Sequence, residues 1–96
     1  MFFISLTYKV PLEAIDAHLD THVSFLQEEY DKGIFIASGR KVPRDGGVIL
    51  ATALSQEIIQ ATIQRDPFYL HELADYSITE FIPSMTAQEC SALLNR

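Results

Sequence analysis

Short runs of hydrophobic residues, alternating or continuous, predict four strands along the chain. Residues 2–8 alternate larger apolar side chains with others that are mostly smaller or polar, which is typical of a strand with one buried face. Two aliphatic runs follow at residues 34–39 and 47–53, and the turn residues between them predict a hairpin. The fourth strand is predicted over residues 76–82, where Pro83 ends it.

Helical periodicity separates the first two strands. Pro11 opens a helix, because a proline at the first helical position lacks only an N–H that would be unpaired there. We expect this helix to continue to residue 32 and to stop at Gly33, the residue type favoured just past a helix end. Its apolar stripe is predicted at three- and four-residue steps: Leu12, Ile15, Leu19, Val23, Leu26 and Tyr30.

Two helical segments are predicted between the third and fourth strands. Ser55 is a favourable N-cap for a helix that ends near residue 65. Asp66 is expected to cap a short helical turn over residues 68–73, with Pro67 at its first position.

A capping box, Thr-Ala-Gln-Glu at residues 86–89, predicts a short C-terminal helix. Three residues of this helix are expected to face inward: Cys90, Leu93 and Leu94. We expect the Cys90 side chain to be packed rather than nucleophilic.

The resulting order, β-α-β-β-α-β with a terminal helix, predicts an α+β, ferredoxin-like fold: a four-stranded antiparallel sheet with two helices on one face. Phe2 and Phe3 place aromatic rings on both faces of the first strand, and residues 34–36 are apolar in succession. A sheet that is apolar on both faces needs a second cover, and the same sheet of another subunit supplies one. We therefore expect a homodimer through the sheet faces. The alternative is that these residues pack only at the ends of the sheet.

Composition narrows the class of protein. With 96 residues, 48% hydrophobic and 21% charged, the chain predicts a single folded domain over residues 1–96. Its formal charge of -6 would repel phosphate groups, so nucleic acid and anionic membranes are not expected as partners.

Cysteine usage and hydropathy predict a cytoplasmic location. One cysteine cannot form an internal disulfide, which suits a reducing compartment. No segment approaches the roughly 18 apolar residues that cross a bilayer, and the first residues lack the basic and long apolar regions of a signal peptide.

The histidines are the first candidates for chemistry. His22 lies at the edge of the predicted stripe, where a half-buried imidazole can titrate near neutrality and act as a general base. The alternative is a histidine at the core edge that only hydrogen-bonds a carbonyl. His18 and His22 have the i, i+4 spacing of helical zinc ligands, but two ligands do not make a zinc site, so no metal is predicted.

Asp66 and the end of the second strand are further candidates. Asp66 is read either as a helix cap alone or also as the partner that orients a histidine. At the strand end, Gly39 permits a close backbone approach, Ser38 offers a hydroxyl and Arg40 could hold a carboxylate, although a solvated strand end is the simpler interpretation. The Lys41, Arg44 and Asp45 side chains are interpreted as a solvated turn.

Several short segments together resemble the YciI-like family. They are residues 22–26 (HVSFL), 37–39 (ASG), 46–50 (GGVIL), 66–68 (DPF) and 73–76 (LADY). The resemblance implies a dimeric α+β barrel with a ferredoxin-like subunit, related to muconolactone isomerase-type proteins. It also implies a His–Asp dyad between the helices and the sheet, which the motifs assign to His22 and Asp66.

Two positions depart from the family pattern. Arg40 follows Gly39 where the family commonly has proline, and His71-Glu72 stand where Ala-Gly is common. If these positions line the cleft, an arginine there would favour an acidic or phenolate-like substrate.

Two functions from different classes follow from this interpretation. The first is a lyase or isomerase of small carbonyl or acidic molecules, aromatic catabolites among them, in which His22 is the base, Asp66 orients it, and no cofactor takes part. We expect five residues to contact the substrate: His18, Ser38, Gly39, Arg40 and Phe68. The alternative is a ligand-binding or accessory domain that uses the same cleft without catalysis.

Overall fold

Four strands form one antiparallel sheet in the computed structural model, which describes residues 1–95. The strands are β1 (Phe2–Tyr8), β2 (Phe35–Arg40), β3 (Gly46–Ala51) and β4 (Ala74–Glu80), and they lie in the order β2-β3-β1-β4. In the central register, Ile4 of β1 lies opposite Ile49 of β3 and Ile78 of β4. The predicted ferredoxin-like topology is confirmed, with strand ends shifted by one or two residues.

Helices occupy the two long connections. They are α1 (Leu12–Ala17), α2 (Leu19–Asp31), α3 (Gln56–Ile63) and α4 (Pro67–Leu70), and a 3-10 helix covers Gln88–Asn95. The prediction of one continuous first helix was wrong, because the helix breaks at His18, whose backbone has φ -113° and ψ 9°. At the break, the hydroxyl of Thr21 donates to the His18 carbonyl, a local bond that competes with regular helical geometry.

After this break, the buried face of α2 differs in part from the predicted stripe. The buried residues of α2 are His22, Phe25 and Glu29, whereas Val23, predicted inside, is 52% exposed. The predicted stripe was wrong at Val23, because its repeat was counted through the break, whereas Leu19, Leu26 and Tyr30 are partly buried and pack against the core. Two of the three buried positions on α2 are polar, and each needs a polar partner.

Glu29 finds its partners on α2 and just beyond α3. Its Oε1 accepts from Arg65 Nη2 at 2.5 Å and from Lys32 Nζ at 3.1 Å. The carboxylate is fully buried, whereas both basic side chains are about half exposed. Glu29 thus joins α2 to the junction between α3 and α4, next to Asp66.

The apolar core lies between the sheet and the helices. β1 contributes Phe2, Ile4 and Leu6 to the helix-covered face of the sheet. The remaining buried apolar side chains come from the other three strands, from α1 to α4 and from the loop before β4: Ile15, Phe25, Phe35, Ile49, Ala51, Ile59, Ile63, Phe68, Leu73 and Ala74. The opposite face of β1 carries Phe3, which is 42% exposed, together with Ser5 and Thr7.

The C-terminal segment differs from its prediction. A helix does form over Gln88–Asn95, but Cys90 is exposed and Leu94 is 44% exposed, so the expected inward orientation was wrong for both; Leu93 is partly buried. The helix is 3-10, and with three residues per turn it does not align the 3.6-residue pattern on one side. Within residues 1–95, no helix is long and apolar enough to cross a membrane.

A β-bulge in β2 redirects its second half. Phe35 pairs with Ala51 and Ala37 with Leu50, so Ile36 is an extra residue without a partner. Side chains alternate between faces, and one inserted residue therefore turns Ser38 and Arg40 toward the helix-covered face. The apolar run at residues 34–36 thus includes a bulge and is weaker evidence for a two-faced apolar sheet.

On the side where a side chain would stand, Gly46 lies close to the backbone of a neighbouring strand, whereas Gly39 does not. A Cβ at Gly46 would overlap the carbonyl group of Leu6, whereas a Cβ at Gly39 would meet nothing within 4 Å. At Gly39 the predicted close approach would be that of a ligand, and it stays a prediction. Within the protein, the close approach lies one strand further along, where β3 packs against β1.

We predict that alanine lowers stability much more at Gly46 than at Gly39. Gly46→Ala should lower the free energy of unfolding by about 3 kcal/mol or more, because its methyl group collides with backbone rather than with a flexible side chain. Gly39→Ala is the matched control and should change stability by less than about 1 kcal/mol. Urea denaturation measures both, and equal losses would contradict the close approach.

Candidate active site

A cleft of about 390 Å³ opens between the helices and the β2–β3 side of the sheet. Its apolar walls come from both layers: Leu6, Leu19, Val23, Leu26, Ile49 and Phe68. Its polar groups are Tyr8, Asp16, His22, Ser38, Arg40 and Arg44. Of the residues predicted for the site, five line the cleft: His22, Ser38, Gly39, Arg40 and Phe68.

Asp66 lies behind His22, fully buried, and its carboxylate oxygens accept three hydrogen bonds. Its Oδ1 is 2.7 Å from Nδ1 of His22 and accepts from the backbone N–H of Phe68 at 2.9 Å. Its Oδ2 accepts from the Tyr76 hydroxyl at 2.5 Å. Asp66 is also the N-cap of α4 with Pro67 at the first position, as predicted.

This geometry determines the tautomer of His22. A carboxylate has no proton to donate, so Nδ1 must carry the hydrogen that lies between His22 and Asp66. In the neutral ring the lone pair is then on Nε2, the nitrogen suited to accept a proton. His22 lies in the cleft wall with 11% of its side chain exposed, which places a basic nitrogen beside the cleft.

Phe68 holds the imidazole plane. Its ring stacks on His22 with the centroids 3.8 Å apart and the planes at 3°. Phe68 follows the Asp66-Pro67 cap, so the same turn supplies the partner of Nδ1 and the surface under the ring. Tyr8 contacts the edge of Phe68 from β1, with centroids 6.0 Å apart.

The family model of the YCII-related domain matches residues 1–82 of this chain. The chain belongs to the YCII-related family. The predicted resemblance is therefore confirmed. A comparison with curated proteins finds no match by sequence.

A solved structure shares the fold of this YCII-related domain. It is 5-chloro-2-hydroxyhydroquinone dehydrochlorinase from Burkholderia phenoliruptrix AC1100, in complex with 2,5-dihydroxybenzoquinone. The TM-score is 0.70 at 16% sequence identity, over 84% of this chain and 93% of that one. At this identity the likeness shows the α+β fold, in agreement with the topology above.

Among the residues that line the cleft is a basic side chain that the sequence analysis of this YCII-related domain did not assign to the site. Arg44 was interpreted as part of a solvated turn, but its Nη2 donates to Asp16 Oδ1 at 2.5 Å and both residues line the cleft. The hydrogen bond that Arg44 donates to Asp16 raises the pKa of Arg44, which therefore stays charged. The hydroxyl oxygens of Ser38 on β2 and Tyr30 on α2 lie 2.6 Å apart.

His18 does not line the cleft. Its ring stacks on His71 with centroids 4.1 Å apart and planes at 30°, whereas His22 turns to Asp66. The helix break at His18 accounts for the separation, because the two imidazoles no longer share one regular helical face. Among residues 1–95, no group of three or more His, Cys, Asp or Glu side chains could hold a metal ion.

Tyr76 is the member of the buried network that the sequence did not identify. It lies on β4 between Ala74 and Ile78, on the face that the helices cover, and only its place in the 73–76 segment singled it out. Burial, together with the negative charge of Asp66, raises the pKa of Tyr76 far above its ordinary value. The phenol therefore stays protonated and donates to Asp66.

We predict that Tyr76→Phe costs about 1–3 kcal/mol of stability at neutral pH, because Asp66 Oδ2 loses its donor. The raised pKa exists only in the folded state, so this contribution is lost as pH rises above the ordinary tyrosine value of 10.0. Denaturation at several pH values should show the difference between wild type and variant shrinking in alkali. Tyr69→Phe, on an exposed ring, is the control and should change stability little. A pH-independent difference would contradict the buried phenol.

Proposed function

We propose that this YCII-related domain is a cytoplasmic, homodimeric enzyme that acts as a lyase or isomerase on a small carbonyl or acidic molecule. The observation that carries the proposal is the buried, triply bonded Asp66 carboxylate 2.7 Å from Nδ1 of a histidine in a cleft wall. A buried aspartate that orients an imidazole and stabilises its protonated form is the arrangement of a general base.

In the proposed reaction, Nε2 of His22 takes a proton from a carbon next to a carbonyl group. The electron pair of the broken C–H bond moves toward the carbonyl, and the carbonyl oxygen gains negative charge. Asp66 stabilises the imidazolium that forms. Loss of a leaving group from the neighbouring carbon then completes an elimination, or return of the proton at another carbon completes an isomerisation.

The cleft suits a small, flat substrate. Its volume of about 390 Å³ lies at the low end of the range for small-molecule pockets, and its walls are largely apolar. A protein with the same fold is a dehydrochlorinase and was solved with 2,5-dihydroxybenzoquinone, a single-ring molecule. This likeness supports elimination on a small ring as one reaction that the fold can accommodate.

The open face of the sheet supports the proposed homodimer. It carries Phe3 of β1 and Val48 and Leu50 of β3 beside small polar residues. The helices cover the other face, so two copies that stack their open faces would bury these apolar side chains.

The general-base role predicts proton exchange that depends on His22. With small oxo acids and lactones in D₂O, proton NMR should detect enzyme-dependent deuterium uptake next to a carbonyl in at least one compound. His22→Asn keeps an amide N–H for Asp66 but removes the base, so exchange should fall about 100-fold or more. Asp66→Asn should also slow exchange, because the amide no longer selects the Nδ1–H tautomer.

His71→Asn is the matched control, since His71 is exposed and lies outside the cleft. Its exchange rate should equal that of the wild type. Nitrogen-detected NMR of the imidazoles should in addition show an Nδ1-protonated His22 whose signals change in Asp66→Asn. Ligand-induced shifts without any exchange would instead identify a non-catalytic binding domain.

The homodimer predicts a solution mass of twice the 10.8 kDa chain mass. Phe3→Asp should convert the dimer to a monomer, because it would bury a charge between the two sheets. Leu54→Asp is the control: Leu54 is 97% exposed in the loop before α3, and its substitution should leave the dimer intact. Light scattering after gel filtration measures the masses, and a monomeric wild type would refute the dimer.

A further inference from the structure

We infer that Arg44 is the anchor for an anionic group of the ligand and that Asp16 occupies the anion position when the cleft is empty. The ligand class would be a small organic anion with a carboxylate or phenolate group. This inference deepens the proposed function and rests on it for the cleft being the ligand site.

In the Arg44–Asp16 ion pair, the Asp16 carboxylate is the more exposed partner and can move away while the Arg44 guanidinium stays in the cleft wall. Nη2 of Arg44 donates to Asp16 Oδ1 at 2.5 Å. The Arg44 side chain is 29% exposed, whereas that of Asp16 is 54% exposed. An ion pair with a solvated partner contributes little to stability, so a ligand anion could replace Asp16 at small cost.

Charge in the cleft is opposite to that of the whole chain. The protein has a formal charge of -6, but two arginines, Arg40 and Arg44, line the cleft, whereas Asp16 is the one carboxylate among the described residues that line it. A basic cleft in an acidic protein attracts anions and concentrates them at its mouth. When Asp16 turns away, the positive charge that faces a ligand increases.

Arg44 is better placed than Arg40 to be the anchor. Arg44 is partly buried, and Asp16 already holds its guanidinium in the cleft wall, so less side-chain freedom is lost when a ligand binds. Arg40 is exposed at the end of β2. A guanidinium binds a carboxylate through two parallel N–H bonds, a geometry that a neutral amide cannot match.

The cleft then places the rest of the ligand. The apolar side chains of Leu19, Val23 and Leu26 are available to contact its flat body. With the anion held at Arg44, the ligand extends along the same cleft that His22 lines. Arg44 would in this way select acidic substrates and orient them toward the base.

Two probes of the same shape, benzoate and benzamide, test the anchor by calorimetry or by NMR shift titration. The wild type should prefer benzoate. Arg44→Gln should weaken benzoate binding about tenfold or more and leave benzamide unchanged, because only the anion loses a charged partner. Asp16→Asn should strengthen benzoate binding severalfold, since it removes the competing carboxylate. Arg40→Gln should have a smaller effect than Arg44→Gln.

Lys9→Gln is the matched control, because it removes one positive charge from a residue that lies outside the cleft and pairs with Asp75. It should leave the ratio of benzoate to benzamide affinity unchanged. An unchanged ratio in Arg44→Gln would overturn the inference. A loss of benzoate binding in Asp16→Asn equal to that in Arg44→Gln would also overturn it, because the pair would then only hold the loop in place. A wild type that binds no benzoate would overturn it as well.

The test of the anion anchor can be distinguished from the test of the proposed reaction. His22→Asn should keep the preference for benzoate while losing proton exchange. If the wild type prefers benzoate through Arg44 but catalyses no proton exchange, the anion anchor is supported and the general-base role of His22 is refuted.

Discussion

The buried carboxylate of Asp66 is the constraint on which the site depends. A fully buried charge is tolerated only when hydrogen bonds replace the water that it loses. Here the donors come from three separate elements: the imidazole of His22 on α2, the backbone of Phe68 on α4 and the hydroxyl of Tyr76 on β4. Satisfying this one group therefore ties a helix, a turn and a strand together at the end of the cleft.

The same contacts that stabilise Asp66 also determine the tautomer and the ring plane of His22. The carboxylate selects the Nδ1–H tautomer, Phe68 fixes the plane of the ring, and Nε2 is left as the basic nitrogen. A second polar link, Glu29 to Arg65, joins α2 to the chain just before Asp66. With two polar contacts seven residues apart, α2 is held against the α3–α4 junction along two turns, and the His22–Asp66 distance depends on both.

Irregular backbone segments place the charged side chains that line the cleft beside His22. The bulge at Ile36 turns Ser38 and Arg40 to the helix-covered face, and the loop after β2 carries Arg44 across to Asp16 on α1. Regular alternation would have left Ser38 and Arg40 on the opposite face. Local departures from regular structure therefore decide the polarity of the cleft, while the regular sheet and helices provide its apolar walls.

The sequence by itself determined the strands, their order and the cap at Asp66, because periodicity, glycine, proline and capping residues act over a few neighbouring positions. Its short motifs also indicated the family and assigned His22 and Asp66 as partners. Tertiary structure alone decided the roles of Glu29, Arg44 and Tyr76. These depend on contacts between residues far apart in the chain, such as the 36 positions between Glu29 and Arg65. A pattern read along one segment contains no information about which buried polar group from another segment will need a partner.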